Sequence, residues 1–115
     1  MREVLPTRRE NVTIGMDWNN QHFDITASFY PDGRTAEAFI AYPKVGSEVQ
    51  ALSRDGAIIL SLALQYGCPL SDISHSLTRD ESGGPASLLG AFLDVVATEA
   101  DSHKKEPELN LSPGS

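Results

Sequence analysis

Residues 11–30 carry the sequence NVTIGMDWNNQHFDITASFY, in which apolar side chains recur at every second position. Before the dipeptide Asn19-Asn20 these are Val12, Ile14, Met16 and Trp18, and after it they are Phe23, Ile25, Ala27 and Phe29. Alternation of this kind is typical of strands that bury one face. Because asparagine tolerates positive φ, the dipeptide suits a two-residue turn, and the sequence predicts a β-hairpin.

A third strand is predicted directly after the hairpin. Residues 30–34 (YPDGR) form a turn signal, since proline presets φ at the first turn position and glycine accepts the left-handed one. The strand is expected from about Thr35 to Tyr42 and antiparallel to the second. Tyr30 and Phe39 are out of phase with the main apolar set, so we expect both on the opposite face of the sheet.

After residues 43–46 (PKVG) the apolar period changes to three or four, which predicts an amphipathic helix. Ser47 can cap its N-terminus and Gly67 its C-terminus. We expect the apolar stripe of this helix to pack on the sheet. The stripe consists of Val49, Leu52, Gly56, Ile59, Leu60, Ala63 and Leu64.

Two more helices complete the predicted fold. Pro69 prevents continuation of the first helix, and the spacing of apolar residues after it predicts a short second helix of about two turns from Leu70 to Leu77. A polar loop at residues 79–85 (RDESGGP) leads to a third amphipathic helix that is expected to end near Ala100. The prediction is an α+β fold with order βββααα, a three-stranded antiparallel sheet with helices on one face.

Size and composition indicate one domain. The chain has 115 residues and a mass of 12.4 kDa, and 40% of its residues are hydrophobic, enough for one modest core. We expect an arm over residues 1–10, the domain over residues 11–100 and a disordered tail over residues 101–115, where apolar side chains are scarce.

The charge balance excludes some classes of function. Nine basic and sixteen acidic residues give a net charge of −7, so general binding to nucleic acid is not expected. The single cysteine excludes an internal disulfide. No apolar targeting run follows Met1, and the longest apolar run, residues 56–64, is too short to span a bilayer. We expect a cytoplasmic protein without membrane contact.

Several motifs between residues 5 and 97 share their order with a known family. The most specific is LQYGCPL at residues 64–70, and a second is the Asp-Gly turn at residues 32–33 before AEAFI. On these motifs the sequence resembles the TSCPD domain, found at the C-terminal end of adenosylcobalamin-dependent (class II) ribonucleotide reductases and in short free-standing bacterial proteins. Weaker matches are LPTRR (5–9), SRDGA (53–57) and LGAFLD (89–94).

The sequence departs from this family at one place. The Thr-Ser-Cys-Pro-Asp motif that names the family is absent, and Asp80 to Gly84 follow Arg79 instead. No role of the motif's cysteine can therefore be transferred. Reductase chemistry also needs a radical cysteine and a reducing pair, which the single thiol of Cys68 cannot supply. We expect no catalytic residue and no cofactor in this chain by itself.

Three functions are compatible with the resemblance. The first is a non-catalytic accessory or regulatory module for deoxynucleotide synthesis that acts by protein contact and nucleotide sensing. The second is a subunit or fragment of a split ribonucleoside-diphosphate reductase. The third is an inhibitor that covers a basic surface of another complex. The expected partners are a second copy of the chain, through the sheet or the third helix, and a ribonucleotide reductase chain.

One candidate anion or nucleotide site can be named. Exposed N–H groups before a helix, with arginines nearby, can hold a phosphate. The alternative is a flexible loop with surface ion pairs. The candidate residues are Arg54, Arg79, Gly83, Gly84 and Ser87.

The remaining polar residues indicate no definite site. Cys68 is expected to be buried at a helix corner, with a reactive thiol as the alternative. The three histidines, His22, His75 and His103, lack the spacing of metal ligands, so no metal is expected. No pattern brings two carboxylates together for acid–base chemistry; the pairs considered are Asp17 with Asp24 and Asp32 with Glu37.

Overall fold

A computed structural model of the chain describes residues 1–42 and 46–111, with side chains as far as residue 102. It confirms the α+β fold with three antiparallel strands followed by three helices. The elements are β1 (Asn11–Trp18), β2 (Gln21–Phe29), β3 (Thr35–Ala41), α1 (Glu48–Gln65), α2 (Leu70–Ser76) and α3 (Leu88–Leu111).

The hairpin has the geometry that its sequence predicts. Asn19 and Asn20 both have positive φ, 51° and 63°, and join β1 to β2. The sheet has the order β1-β2-β3, and the even-numbered residues of β1 and the odd-numbered residues of β2 face the helices. Two of the β2 side chains on this face, Phe23 and Ile25, are fully buried.

Side chains of α1 close the outer edge of β3. The hydroxyl of Ser61 accepts a hydrogen bond from the Ala38 N–H and donates one to the Ala38 carbonyl, both at 3.0 Å. The Gln65 amide donates to the Ala36 carbonyl at 3.3 Å. These bonds satisfy backbone groups that an edge strand otherwise exposes, so two polar residues belong on the buried face of α1.

The expected apolar stripe of α1 is therefore wrong in part. Leu60 and Leu64 are buried as predicted, but Leu52 and Ile59 are exposed, with 60% and 68% of their surface accessible. The buried face is instead completed by small and polar residues, Ser53, Ala57, Ser61 and Gln65. Apolar residues surround most of this helix, so periodicity alone does not determine which of them face the sheet.

Of the two aromatic residues predicted on the second face of the sheet, Phe39 lies there, and Tyr30, which follows the end of β2, is buried. Phe39 lies on the face away from the helices and is 47% exposed. Tyr30 is buried, with the Arg34 guanidinium 4.7 Å from the centre of its ring. The register of β2 and β3 shifts between Ser28 and Phe29, so the strict alternation on which the prediction for Tyr30 rested ends there.

The core lies between the sheet and the two long helices. Phe92 and Val96 of α3 are fully buried in one apolar cluster with residues of all three strands and α1. At Gly56, α1 and α3 approach so closely that a Cβ there would lie 2.5 Å from Leu89 Cδ2. A side chain at this position therefore requires Leu89 to move.

The third helix is longer than predicted. It continues past Ala100 to Leu111, so its expected end near Ala100 is wrong. The disordered tail expected over residues 101–115 stays a prediction. The sequence there contains Lys104, Lys105 and Glu106, which have high helix propensity even though they supply no apolar face. Residues 112–115 lie outside the described part of the chain.

Hydrogen bonds and ion pairs hold the N-terminal arm against the domain, among them those of Arg9 and Arg2. Arg9 binds the Glu37 carboxylate through Nε and Nη2, at 3.1 and 2.6 Å, and the Ser28 hydroxyl donates to the same oxygen at 3.1 Å. Arg2 Nε donates to Gln65 Oε1 at 2.7 Å. The arm thus links the open face of the sheet to the end of α1.

Candidate functional site

Arg79, one of the two arginines of the predicted anion site, is paired within the chain. Its Nη1 and Nη2 atoms each lie 2.7 Å from an oxygen of Asp94 in α3, a bidentate ion pair. Nη2 also donates to the Ser74 carbonyl at 3.3 Å, and the Ser74 hydroxyl donates to Asp94. The hydrogen bonds from Arg79 lower the pKa of Asp94, so this carboxylate stays ionised and ties the loop and α2 to α3.

The glycine loop is closed by a carboxylate of its own. Asp80 Oδ1 accepts hydrogen bonds from Ser82 Oγ at 2.7 Å, Gly84 N at 2.9 Å and Ser82 N at 3.0 Å. These bonds, that from the Ser82 hydroxyl first, lower the pKa of Asp80. Gly83 has a φ of +90°, which a side chain rarely adopts. The loop therefore resembles an anion-binding turn that already holds the Asp80 carboxylate.

The last two candidate residues lie apart: Ser87 directly precedes α3, and Arg54 lies on α1. Ser87 Oγ accepts from the Gly90 N–H at 3.1 Å at the start of α3. Arg54 is exposed on α1, about 200° around the helix from Gly56, which faces α3. The structure thus places Arg79, Gly83, Gly84 and Ser87 along one loop without Arg54. An external anion must compete with internal carboxylates there, and the site stays a prediction.

A cleft of about 490 Å³ lies where the end of α1 meets α2 and α3. Arg34, Cys68 and His75 are among its lining residues. The Arg34 guanidinium contacts both Glu3 oxygens at 2.9 Å and Asp32 at 2.7 Å. Because two carboxylates already neutralise this arginine, the cleft does not attract anions strongly.

Cys68 does not occupy the buried corner that its sequence context predicts. It is exposed, and its Sγ lies 3.9 Å from the Pro69 carbonyl oxygen. The turn between α1 and α2 is on the surface, since residues 66–69 are all exposed. A reactive thiol at this position stays a prediction.

Two acidic residues that the sequence does not link are brought together by a histidine. His22 Nδ1 lies 2.8 Å from Asp17 Oδ1, and His22 Nε2 lies 3.1 Å from Asp24 Oδ1. All three side chains are exposed on the open face of the sheet. In contrast, Asp32 pairs with Arg34 and Glu37 with Arg9, so these two carboxylates do not form a pair.

We expect His22 to make stability depend on pH. The hydrogen bonds to Asp17, and then to Asp24, raise the pKa of His22 above its ordinary value of 6.5. Protonation is thus favoured by folding, so its stabilising contribution is present in full below pH 6.5 and is lost as pH rises through the folded pKa. An NMR titration measures this pKa, and we expect Asp17→Asn to lower it. A pKa unchanged in the variant contradicts the assignment.

An exposed apolar surface covers the side of α1 opposite the sheet. We call it the α1 outer face and define it by Leu52, Ile58, Ile59, Leu62 and Tyr66. Leu52, Ile59 and Tyr66 follow each other at seven-residue intervals, so they lie in one line along the helix. Large apolar side chains clustered on one exposed surface are typical of a protein contact. Two of these residues, Leu52 and Ile59, belong to the apolar stripe that was predicted to pack on the sheet, whereas Ile58, Leu62 and Tyr66 lie outside that stripe.

Two features are absent from the described part of the chain. Within residues 1–42 and 46–102, whose side chains are described, no group of three or more histidine, cysteine, aspartate or glutamate side chains could hold a metal ion. None of the helices in the described part of the chain is long and apolar enough to cross a membrane.

The structure is a small α+β domain, in which helices cover one face of a three-stranded antiparallel sheet. One of these helices, α1, has an exposed apolar surface. The model of the TSCPD domain matches residues 2–98. The chain belongs to the TSCPD domain family, which confirms the resemblance. No solved structure matches the chain significantly.

The similar proteins are much longer enzymes. A vitamin B12-dependent ribonucleotide reductase of Rhodopirellula baltica is 36% identical over 88 residues, 75% of this chain and 8% of the relative. The same enzyme of Bradyrhizobium diazoefficiens is 35% identical over 86 residues, 73% of this chain and 7% of the relative. That of Streptantibioticus cattleyicolor is 33% identical over 79 residues, 69% of this chain and 13% of the relative. The chain is thus related to ribonucleotide reductases through this domain, which is a small part of their length.

Proposed function

We propose that this chain is a non-catalytic accessory or regulatory module of ribonucleotide reduction in the cytoplasm, and that it acts by contact with a reductase chain. The kinship of the domain to vitamin B12-dependent ribonucleotide reductases supports the link to this process. A response of the contact to nucleotides is the second part of the proposal. The loop from Arg79 to Ser87 is the place where such a response would be tested.

The α1 outer face is the observation that carries the proposal. Leu52, Ile59 and Tyr66 are each at least 60% exposed, and Ile58 and Leu62 extend the same surface. Tyrosine and aliphatic side chains of this size are the residues that fill the centre of protein interfaces. In the described part of the chain no other helix presents so many exposed large apolar residues.

The non-catalytic part of the proposal rests on the thiol count. The sequence contains one cysteine, Cys68, and reduction of a ribose through a radical cysteine and a dithiol requires three thiols. A single thiol therefore does not suffice for ribonucleotide reduction, unless another chain supplies the remaining groups.

The test is recovery of a reductase chain from native lysate by the tagged protein. We expect the wild type to recover a ribonucleotide reductase chain, identified by mass spectrometry. Ile59→Asp places a charge in the α1 outer face and should reduce recovery at least about tenfold, since burying an unpaired charge in an interface costs several kcal/mol. Phe39→Ser is the matched control, because it removes an exposed apolar side chain from the open face of the sheet.

The outcomes separate the alternatives. Equal recovery by Ile59→Asp and wild type contradicts the α1 outer face as the contact, and no reductase in any eluate contradicts the proposed module. Reductase activity that appears only when the two chains are mixed identifies a subunit of a split enzyme instead. Activity that falls on mixing identifies an inhibitor. A change in recovery on adding deoxynucleotides supports nucleotide sensing.

A further inference from the structure

One edge of β1 is free, and the residues whose backbone N–H and C=O groups face outward at this edge can be identified one by one. Both backbone groups of Ala38 contact Ser61, so they face away from β2. In an antiparallel ladder the two groups of one residue face the same side and successive residues alternate. Ala27, the partner of Ala38, therefore faces β1, and Val12 opposite it faces β2. It follows that the outward residues of β1 are Asn11, Thr13, Gly15 and Asp17.

This edge is uncovered in the described part of the chain. β1 pairs only with β2 there, and all four outward residues are exposed. Natural edge strands are usually protected by proline, lysine, a bulge or a covering element. β3 has such a cover in Ser61 and Gln65 of α1. The sequence of β1, NVTIGMDW, contains neither proline nor lysine, and its pairing with β2 is regular throughout.

We propose that β1 pairs antiparallel with β1 of a second copy, about a two-fold axis at Ile14. In this register Asn11 lies opposite Asp17 of the second copy, and Thr13 lies opposite Gly15. All four outward residues of each copy then exchange hydrogen bonds in pairs. A shift by two residues in either direction leaves outward groups unpaired at the ends. The product is a continuous six-stranded sheet with helices on one face.

The side chains suit this register. On the face covered by helices, Ile14 lies opposite its own copy and Val12 lies opposite Met16, so the half-buried side chains of Val12 and Ile14 lose further contact with water. Ile14 also lines a groove of about 260 Å³ beside Val95 of α3, and this groove borders the new contact. On the other face no charged residue lies opposite a like charge.

The dimer uses a surface separate from the α1 outer face, so it can fail or hold independently of the proposed function. Each copy carries a net charge of −7, and two such copies repel each other in water. Salt screens this repulsion while it leaves backbone hydrogen bonds and apolar contacts largely intact. We therefore expect association to strengthen as salt is raised.

Cysteine cross-linking tests the register. Directly opposite residues of a non-hydrogen-bonded antiparallel pair have Cα atoms about 4.5 Å apart, within reach of a disulfide. In a Cys68→Ser background, Ile14→Cys should therefore give a covalent dimer under mild oxidation. Val12→Cys is the control, because the two copies of residue 12 would lie about 13 Å apart along the strands. Equal cross-linking at both positions contradicts the register.

Mass measurement tests the dimer itself. Light scattering of the wild type at tens of micromolar should give twice the chain mass of 12.4 kDa. Thr13→Pro removes an outward N–H and leaves the β1–β2 ladder complete, so we expect a folded monomer by circular dichroism and scattering. Thr13→Val keeps the N–H and should stay a dimer. A monomeric wild type, or a folded Thr13→Pro variant that is still a dimer, overturns the proposal.

Discussion

Replacing Phe92 with alanine is expected to lower the free energy of unfolding by about 3–5 kcal/mol, the range for a fully buried phenylalanine. Phe92 has no accessible surface and lies in the cluster that joins α3 to the sheet, together with Phe23 and Ile25. Removal of the ring leaves a cavity between these two layers, because neighbouring side chains relax only in part. Urea denaturation followed by circular dichroism measures the change.

Phe39→Ala is the matched control for this variant. The same ring is removed, but from a site where 47% of the residue is already accessible to solvent. We expect a loss below about 1 kcal/mol, as is usual for surface substitutions. Equal losses in the free energy of unfolding for the two variants would contradict the position of Phe92 in the core between α3 and the sheet.

The second large effect is expected at the ion pair between the arm and the sheet. Arg9→Met should lower the free energy of unfolding by about 2–3 kcal/mol, because it leaves Glu37 without its cation. The side chains of Arg9 and Glu37 are only 27% and 11% exposed, so water replaces the lost contact poorly. The expected loss is below that of a fully buried pair, since Ser28 still donates to the carboxylate. Thermal and urea unfolding measure it.

The neighbouring arginine provides the control for Arg9. Arg8 is adjacent in the chain and is exposed, so Arg8→Met removes the same charge from a neighbouring position. We expect it to have little effect on the free energy of unfolding. The double variant Arg9→Met/Glu37→Met should recover part of the loss, because it leaves no unpaired buried carboxylate. If Arg8→Met proves as destabilising as Arg9→Met, the loss comes from net charge and not from the ion pair.

The strands could be predicted from the sequence almost residue by residue. Their period of two is unambiguous in residues 11–30, and the two asparagines permit one turn geometry that joins them. The order of the three helices was equally predictable, because Ser47, Gly67 and Pro69 mark where helices begin and end. Each of these signals acts within a few residues of chain.

The faces of α1 could not be predicted in the same way. Leu52 and Ile59 are as apolar as Leu60 and Leu64, and the choice between them depends on the backbone of β3. Ser61 is buried because Ala38 needs a hydrogen-bond partner, which is a tertiary requirement. A prediction of the buried face from hydrophobicity alone therefore assigns exposed residues such as Leu52 and Ile59 to the core.

Two long-range ion pairs, one in the arm and one in the candidate site, could not be predicted from the sequence either. Arg9 and Glu37 are 28 positions apart, and Arg79 and Asp94 are 15 positions apart. No local pattern relates residues at such distances, whereas the Asp80 loop depends on contacts within four residues. The alternative to the anion site supposed a surface ion pair, and Arg79 does form an ion pair, but with Asp94 and not with the adjacent Asp80.

The closure of β3 by α1 also has a consequence during synthesis on the ribosome. Ser61 lies 23 residues after Ala38, so the strand leaves the ribosome well before the side chain that covers its edge. At about 5–20 residues per second, β3 emerges roughly one to five seconds ahead of its cover. During that interval the nascent sheet has two open edges, and each translating chain is exposed to strand pairing with its neighbours until α1 arrives.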